Sequence, residues 1–453
     1  MNCNLRVSSG GPIGNGYRWR ARDRGGRLAG KIFNFNFLLE QPPFVKFLGP
    51  HISSRRIWNI CAWVVWTAVV VALILRPLLL SHRGTSFDTY QLAGTHWLHG
   101  EDIYTQWMGF VYSPVVAAFF APFAWMPVSM ANVVWRLLNT ALLLGGLAAF
   151  LKSGLFADIM ERNFGVLYLL LAPLAIGNID ISQANPLVEG LLLLAIAAVY
   201  TERWTGAAIC VAIATYFKIY PIAVGLLICL IAPRRFSWRM LIALLVLLLV
   251  PFIFQHWSYV WNQYHVWIAT RTSDDRRQWP IEKLPLDLWF LIHWVWHLPI
   301  PTKVYSLVQL GSAGALALFC AGQTLRGWAK NRVLIGLFCL VSIWMTLCGP
   351  ATESYTYLIL APAIVLALVQ AFDGHQPAPL RILVFAAYIL QLLAVTRASF
   401  LPHFKPFWAL SVLPFSALLF LAYSLLWLFN NPLWPVKETP IAGSADSRVG
   451  ETG

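Results

Sequence analysis

Charged residues and cysteines are scarce in this sequence of 453 residues. Only 11% of the residues are charged and 58% are hydrophobic, a balance that excludes an ordinary soluble globular protein. Six of the seven cysteines lie in apolar runs, at spacings that fit neither a metal cluster nor a disulfide framework. The adjacent acids Asp274 and Asp275 come without further ligands. We therefore predict no metal and no cofactor.

The N-terminal 56 residues lack the short apolar core and small-residue cleavage site of a secretory signal. They carry ten Lys and Arg against two acids, which predicts a basic cytoplasmic arm over 1–56 and a transmembrane domain over 57–430. The other basic residues fall mainly in short turns between apolar runs, as the positive-inside rule produces, so the net charge of +14 does not indicate nucleic-acid binding. The polar composition of residues 431–453 predicts that they form a disordered cytoplasmic tail.

Long apolar runs dominate the rest of the chain. The run 57–80 opens with 19 uncharged residues, close to the roughly 20 that a helix needs to cross a bilayer. Twelve runs predict helices: 57–80, 129–151, 164–178, 185–200, 204–217, 219–232, 238–256, 303–324, 333–349, 354–371, 381–397 and 408–429. Several are short and must be tilted, broken or shielded inside the bundle. The sequence thus predicts an all-α polytopic protein of the cell membrane, inner or plasma, with about 12 transmembrane helices.

The apolar segment 111–127 contains three prolines, and we predict that it lies at the interface as a helix. If it is left out of the count, the basic turns at 234–239 and 326–332 and both termini face the cytoplasm. Counting it as a span would place both turns outside, against the positive-inside rule. The extracytoplasmic segments are then 81–128, 177–185, 216–221, 257–302 and 349–357, with a further loop at 397–408.

Polar residues recur at helical spacing directly after the first run. They are Asp88, Gln91, Thr95 and His99. Apolar residues such as Tyr90 and Trp97 lie largely opposite, which predicts an amphipathic helix on the membrane surface, ended by Gly100. Asp88 or Ser86 could simply cap this helix. Alternatively, Asp88 is a general base at the water–membrane boundary, where a carboxylate can take a proton from an acceptor hydroxyl.

Three blocks of short motifs, in this order, resemble glycosyltransferase family 87. The first block contains Asp88, Tyr90, Ala93, Gly100, Tyr104, Tyr112-Ser113-Pro114, Pro122, Pro127, Trp135 and Asn139. The second contains Gln183-Ala184-Asn185-Pro186, Gly206 and Lys218-Ile219-Tyr220-Pro221, and the third is GPATESYTYLILAP from residue 349. Together they cover most of residues 85–365.

This resemblance implies a GT-C membrane glycosyltransferase that uses a polyprenyl-phosphate-linked sugar and inverts the anomeric centre. It also implies that Asp88 is the catalytic base. A histidine in the C-terminal half has a site role in mannosyltransferases of the family, but the corresponding loop here carries Tyr355 and Tyr357.

Three basic residues are candidates for the donor phosphate. Lys218 stands among apolar residues near a helix end, where it either snorkels to the interface or contacts the phosphate as a point charge. Arg276 and Arg277 belong either to a solvated charge cluster or to an anion site that uses their forked donors.

The candidate substrate-binding residues are Tyr90, Tyr112, Gln183, Asn185, Glu353 and Tyr357. Gln183 and Asn185 could hydrogen-bond sugar hydroxyls or satisfy broken helix ends. Glu353 and the intramembrane Glu189 are functional candidates, or pair with a basic neighbour such as Lys218. Tyr357 could stack on a sugar.

We therefore predict a membrane hexosyltransferase, with mannose as the first sugar to test, acting on a lipid or glycan acceptor outside the cytoplasm. Asp88 would be the base, and the leaving phosphate would be neutralised by Lys218 or an outer-loop arginine. The alternative is a transporter or flippase of lipid-linked sugars, because broken helices with buried charges also suit alternating access.

Overall fold

The computed structural model describes residues 51–79, 85–104, 109–156, 164–279, 284–350, 352–373, 376–400 and 406–429. The tail predicted at 431–453, nearly all of the predicted basic arm and residues 401–405 of the last outer loop lie outside the described residues. Regular structure in the described ranges is helical throughout.

The described residues form seventeen α-helices. They are α1 His51–Leu79, α2 Ser86–His99, α3 Pro114–Phe120, α4 Val128–Lys152, α5 Phe164–Asp180, α6 Asn185–Tyr200, α7 Trp204–Phe217, α8 Ile222–Ile231, α9 Trp238–Leu249, α10 Pro251–Phe254, α11 Trp257–Ser273, α12 Leu288–Phe290, α13 Thr302–Leu325, α14 Lys330–Leu347, α15 Ala361–Asp373, α16 Ala378–Phe400 and α17 Pro406–Phe429. Shorter turns of 3₁₀ or π-helix join some of them, at Ala121–Trp125, Pro233–Ser237, Arg276–Gln278, Leu291–Val295 and Ser354–Ile359.

Each of the twelve predicted runs coincides with a helix. Within the described residues, seven helical segments are long and apolar enough to cross a membrane, and six shorter apolar helices accompany them. The expectation of an all-α polytopic membrane protein is confirmed. As predicted for the short runs, α6 is shielded, because nearly all of its side chains are buried among other helices.

Proline and local turns divide two of the runs. α9 stops at Leu249, and Pro251 begins the short helix α10, since proline cannot continue the hydrogen-bond ladder of the preceding turn. The run 354–371 begins as the 3₁₀-helix Ser354–Ile359 before α15. Each of these two predicted runs therefore consists of two helical pieces.

Two glycines allow α4 and α6 to pack in direct backbone contact. A methyl group on Gly146 would lie 2.3 Å from the carbonyl oxygen of Gly190, and one on Gly190 would lie 2.2 Å from that of Leu142. A side chain at either glycine would push the helices apart. The close contact fixes the position of α6, whose first two turns carry Asn185 and Glu189.

The two basic turns predicted to share one side of the membrane are joined in the structure. Glu202 forms ion pairs with Arg235 at 3.3 Å and with Lys330 at 3.4 Å. Lys330 also donates to the carbonyl oxygen of Tyr200 at 3.0 Å. These turns therefore lie together at one end of α6, on one side of the membrane as predicted.

Candidate functional site

Asp88 takes part in the start of α2. Its Oδ2 accepts a hydrogen bond from the backbone N–H of Thr85 at 2.8 Å, and Thr85 is the N-cap residue. The cap position predicted for Asp88 or Ser86 therefore belongs to Thr85, with Asp88 closing the capping box three residues later. The Asp88 side chain is half-buried, and this hydrogen bond engages only one of its two carboxylate oxygens. Gly100 ends the helix in the left-handed conformation (φ 69°), as predicted.

Gln91 was predicted on the water-facing stripe of α2, and this is wrong. Its side chain is buried and donates hydrogen bonds to the carbonyl oxygens of Phe123 and Met126, both at 2.9 Å. Gln91 therefore satisfies carbonyl groups where the 3₁₀-helix Ala121–Trp125 ends. The apolar face is as expected, with Tyr90 and Trp97 buried.

The segment 111–127 forms α3 and the following 3₁₀-helix, which break near Ala121. Each piece is too short to cross a bilayer. The structure therefore agrees with the prediction that this segment is not a span.

The five segments predicted to share one side are in contact with one another. The contacts are Ser86 N to Ile181 O (3.0 Å), Ser113 Oγ to Tyr216 O (3.1 Å), Ile103 N to Gln263 Oε1 (3.2 Å), Tyr220 Oη to Asn185 Oδ1 (3.3 Å) and Arg276 Nη1 to Glu353 Oε1 (2.8 Å). Residues far apart in sequence thus assemble one polar region at one end of the helices.

Two tyrosines connect α2 to Lys218. The hydroxyl groups of Tyr90 and Tyr112 are 2.8 Å apart, and the ammonium nitrogen of Lys218 lies 5.8 Å from the centroid of the Tyr112 ring, within cation–π range. Burial, and then the neighbouring Tyr112, raise the pKa of Tyr90 well above its usual value. The negative charge of Glu353 adds to this rise in the pKa of Tyr90.

Asn185 stands at the break between α5 and α6. Its Nδ2 donates to Asn178 Oδ1 at 3.0 Å, and its Oδ1 accepts a hydrogen bond from the hydroxyl of Tyr220. Gln183 is next to this break, and within the described residues its buried Oε1 has no hydrogen-bond partner. Asn185 therefore bridges the broken helix, while Gln183 offers an unused acceptor.

Arg276 lies at the centre of a charge network. Its Nη1 donates to Glu353 Oε1 at 2.8 Å and its Nε to Asp274 Oδ2 at 3.1 Å, while Arg271 contacts the same Asp274 oxygen at 3.1 Å. Burial alone would lower the pKa of Arg276, but Glu353 and Asp274 together raise it. The arginine side chain is largely buried, so the alternative of a fully solvated cluster is wrong for Arg276. The described residues contain no group of metal ligands here or elsewhere.

Arg277 points to different neighbours. Its guanidinium lies 4.9 Å from the ring centroid of Tyr305 and 5.9 Å from that of Trp289. It is also close enough to Asp287 to favour the charged form of that carboxylate. The structure therefore does not group Arg277 with Arg276 and Glu353.

Tyr357 is 2% exposed, and its hydroxyl donates to the carbonyl oxygen of Leu286 at 2.7 Å. The N–H of Leu286 in turn donates to Thr352 O at 2.7 Å. These bonds hold the outer segment 284–290 against the loop that carries Glu353. The arrangement gives Tyr357 a structural position, with no open ring face for the predicted sugar contact.

Sequence reasoning missed Asp287. This residue is 2% exposed and accepts hydrogen bonds from the Phe290 N–H at 3.1 Å and the Tyr305 hydroxyl at 3.0 Å. Burial raises its pKa to about 6, although both hydrogen bonds and Arg277 act in the opposite direction. A lone acid within the apolar stretch PLDLWF was the available signal.

The pKa of Asp287 predicts a pH dependence of stability. Its folded value of about 6 lies above the unfolded value of about 3.9, so the folded protein binds more protons between these limits. Stability is therefore greater toward the acidic end of this window and is lost as pH rises through about 6. We expect Asp287→Asn, whose amide oxygen can accept the Phe290 N–H while its amide nitrogen donates to the Tyr305 hydroxyl oxygen, to flatten this slope in thermal unfolding of the detergent-solubilised protein. An unchanged slope would contradict the assignment.

Apolar helices of spanning length, with one polar region at their end, are typical of an integral membrane protein. The family model of glycosyltransferase family 87 matches residues 110–350, a little over half of the chain. The chain therefore belongs to this family and is a membrane glycosyltransferase. Together with the helical architecture, this confirms the predicted GT-C fold class.

The matched range contains Tyr112, Gln183, Asn185, Lys218 and the two outer-loop arginines. Asp88 precedes this range, and Glu353 follows it.

A search of the curated proteins finds no match. Among solved structures, the crystal structure of ArnT from Cupriavidus metallidurans bound to undecaprenyl phosphate is similar, with a TM-score of 0.32 and 14% sequence identity over 81% of this chain and 76% of that chain. A similarity this low does not inform the substrate.

Proposed function

We propose that this glycosyltransferase moves a hexose, with mannose as the first candidate, from a polyprenyl-phosphate-linked donor to an acceptor hydroxyl on the extracytoplasmic side. The observation that carries the proposal is the assembly of α2, Lys218, Asn185 and the Arg276–Glu353 pair at one end of the helices. We further propose a location in the inner or plasma membrane with cytoplasmic termini, and a lipid or glycan acceptor.

Asp88 is the base in this proposal. Its Oδ2 is held by the Thr85 N–H, which orients the carboxylate and leaves Oδ1 for an acceptor hydroxyl. As the hydroxyl oxygen attacks the anomeric carbon, its proton passes to Asp88 and the bond between that carbon and the phosphate oxygen breaks. Attack opposite the leaving phosphate inverts the anomeric centre.

Lys218 and Arg276 are the proposed partners of the phosphate. A phosphate leaving group gains negative charge as the glycosidic bond breaks, and a fixed cation stabilises that charge most strongly where water is excluded. Lys218 lies close to Tyr112, and Arg276 is already ordered by Asp274. Arg277 also contributes positive charge to this side, but its contacts with Tyr305 and Asp287 make it the weaker candidate.

The sugar is proposed to lie against Tyr112, Gln183, Asn185 and Glu353, while the buried Tyr90 orients Tyr112 through the hydrogen bond between their hydroxyl groups. The unused Oε1 of Gln183 and the Oδ1 of Asn185 are hydrogen-bond acceptors, which match the hydroxyl donors of a hexose. Family membership supports transfer rather than transport.

The function is tested by following labelled mannose in membranes that contain the protein. Polyprenyl-phosphate-mannose should support transfer to endogenous acceptors, whereas a nucleotide-linked mannose should not once synthesis of the lipid-linked donor is blocked. If mannose is not transferred, polyprenyl phosphates carrying other hexoses are tested next. Transfer directly from the nucleotide sugar would refute the proposed donor class.

The Arg276–Glu353 contact predicts the effect of Glu353→Gln on lipid binding. Removing the carboxylate charge leaves Arg276 paired with Asp274 alone, so the guanidinium becomes more available to a phosphate. We expect undecaprenyl phosphate to bind roughly twofold to fivefold more tightly by isothermal titration. Glu202→Gln, which removes an acid paired with Arg235 and Lys330 at the other end of α6, is the matched control and should change nothing. Weaker binding to Glu353→Gln would argue against Arg276 as a phosphate ligand.

A further inference from the structure

A carboxyl group without a partner is buried directly behind the candidate site. Glu189 in α6 is 0% exposed, and among the described residues neither of its carboxyl oxygens has a hydrogen-bond partner. Burying a polar group unpaired is unfavourable, more so when the group is charged. The proposed roles of the other site residues do not account for this carboxyl group.

Glu189 lies one helical turn after Asn185, on the same face of α6. The hydroxyl of Tyr220 donates to Asn185 Oδ1 over 3.3 Å, a long hydrogen bond. The same hydroxyl is within electrostatic reach of Glu189, and of Tyr112 and Glu353 on the ligand side. The hydroxyl of Tyr220 is therefore bonded to Asn185, and the unpartnered carboxyl group of Glu189 follows one turn later on the same face of α6.

We propose that Glu189 is a positioning residue, which accepts the Tyr220 hydroxyl when a sugar hydroxyl takes its place on Asn185. Asn185 is buried and its Nδ2 is already bonded to Asn178, so a sugar hydroxyl that binds Asn185 has to donate to Oδ1. A sugar hydroxyl that donates to Oδ1 displaces Tyr220. Glu189 then supplies the replacement acceptor, and no buried hydroxyl is left unpaired. This inference rests on the proposed function, because the ligand is the sugar of a lipid-linked donor.

The test measures binding of two lipids to the full-length protein in detergent. One is the polyprenyl-phosphate hexose that the wild type binds best, and the other is undecaprenyl phosphate, which lacks the sugar. Glu189→Met should weaken binding of the sugar-bearing lipid roughly fivefold to tenfold and leave undecaprenyl phosphate unaffected. Glu189→Gln, which keeps an acceptor oxygen, should restore most of the loss.

A double-mutant cycle with Tyr220→Phe separates positioning from a general packing defect. Without the Tyr220 hydroxyl there is no competitor for Asn185, so Glu189→Met should have no further effect in this background. Tyr220→Phe alone should bind the sugar-bearing lipid as tightly as the wild type or more tightly. Gln370→Met, at another buried side chain with no partner among the described residues, is the control and should alter neither affinity.

Three results would overturn the inference. The first is an unchanged preference for the sugar-bearing lipid in folded Glu189→Met, and the second is an equal loss in the Tyr220→Phe background. If Glu189→Met does not fold, weaker sugar-lipid binding by Tyr220→Phe alone decides against the inference. Failure of the proposed function is visible earlier, because the wild type would then bind no polyprenyl-phosphate hexose more tightly than undecaprenyl phosphate.

Discussion

Asp88→Asn is expected to lower sugar transfer by about a hundredfold to ten-thousandfold, the usual contribution of a positioned general base. The asparagine side-chain oxygen can still accept the Thr85 N–H that Asp88 Oδ2 accepts now, so the start of α2 should be preserved. What is lost is the ability to take a proton from the acceptor hydroxyl. The measurement is the initial rate of transfer from the lipid-linked sugar at matched amounts of folded protein.

Thr85→Ala provides the control for the capping role. It removes the N-cap side chain of α2 at a cost of about 1 kcal/mol in helix stability, but it leaves the Asp88 carboxylate and the backbone N–H that orients it. We expect this variant to retain most of the activity. If Asp88→Asn remained as active as Thr85→Ala, Asp88 would be a capping residue only, and the base would have to be sought elsewhere on the same face.

The helices were predictable because their signal is local. A run of apolar residues long enough for a span needs no knowledge of its neighbours, and all twelve runs are helical in the structure. The contacts among the polar segments were predictable for a different reason. The distribution of Arg and Lys decided which loops share a side, and this excluded 111–127 from the spans before any contact was known.

Individual side chains were less predictable, because their partners are distant in sequence. Helical periodicity placed Gln91 on the polar face of α2, but carbonyl groups more than 30 residues away bind it in the interior. Asp287 is held by Tyr305 across the start of α13. The sequence carried opposite charges at Arg276 and Glu353, yet only the packing of the two outer segments shows that they pair.

Lys218→Met should reduce the turnover rate by about a hundredfold to a thousandfold, if the ammonium group stabilises the leaving phosphate as proposed. Methionine retains most of the apolar stem, and therefore the packing near Tyr112 should persist. The loss should appear mainly in kcat, because the phosphate carries more negative charge as the glycosidic bond breaks than it does in the bound donor. Rates from the lipid-linked sugar at saturating donor would measure it.

Lys330→Met is the matched comparison for Lys218→Met. Lys330 also lies over aromatic rings, 5.7 Å from those of Tyr200 and Trp204, but it pairs with Glu202 at the opposite end of α6. The two substitutions remove the same charge from similar aromatic surroundings, so any difference in turnover reports the location of the charge. If Lys218 only extends to the interface, both variants should lose activity slightly and equally. A large loss confined to Lys218→Met would support its role at the donor phosphate, because Lys330 lies too far from the site to contact the donor.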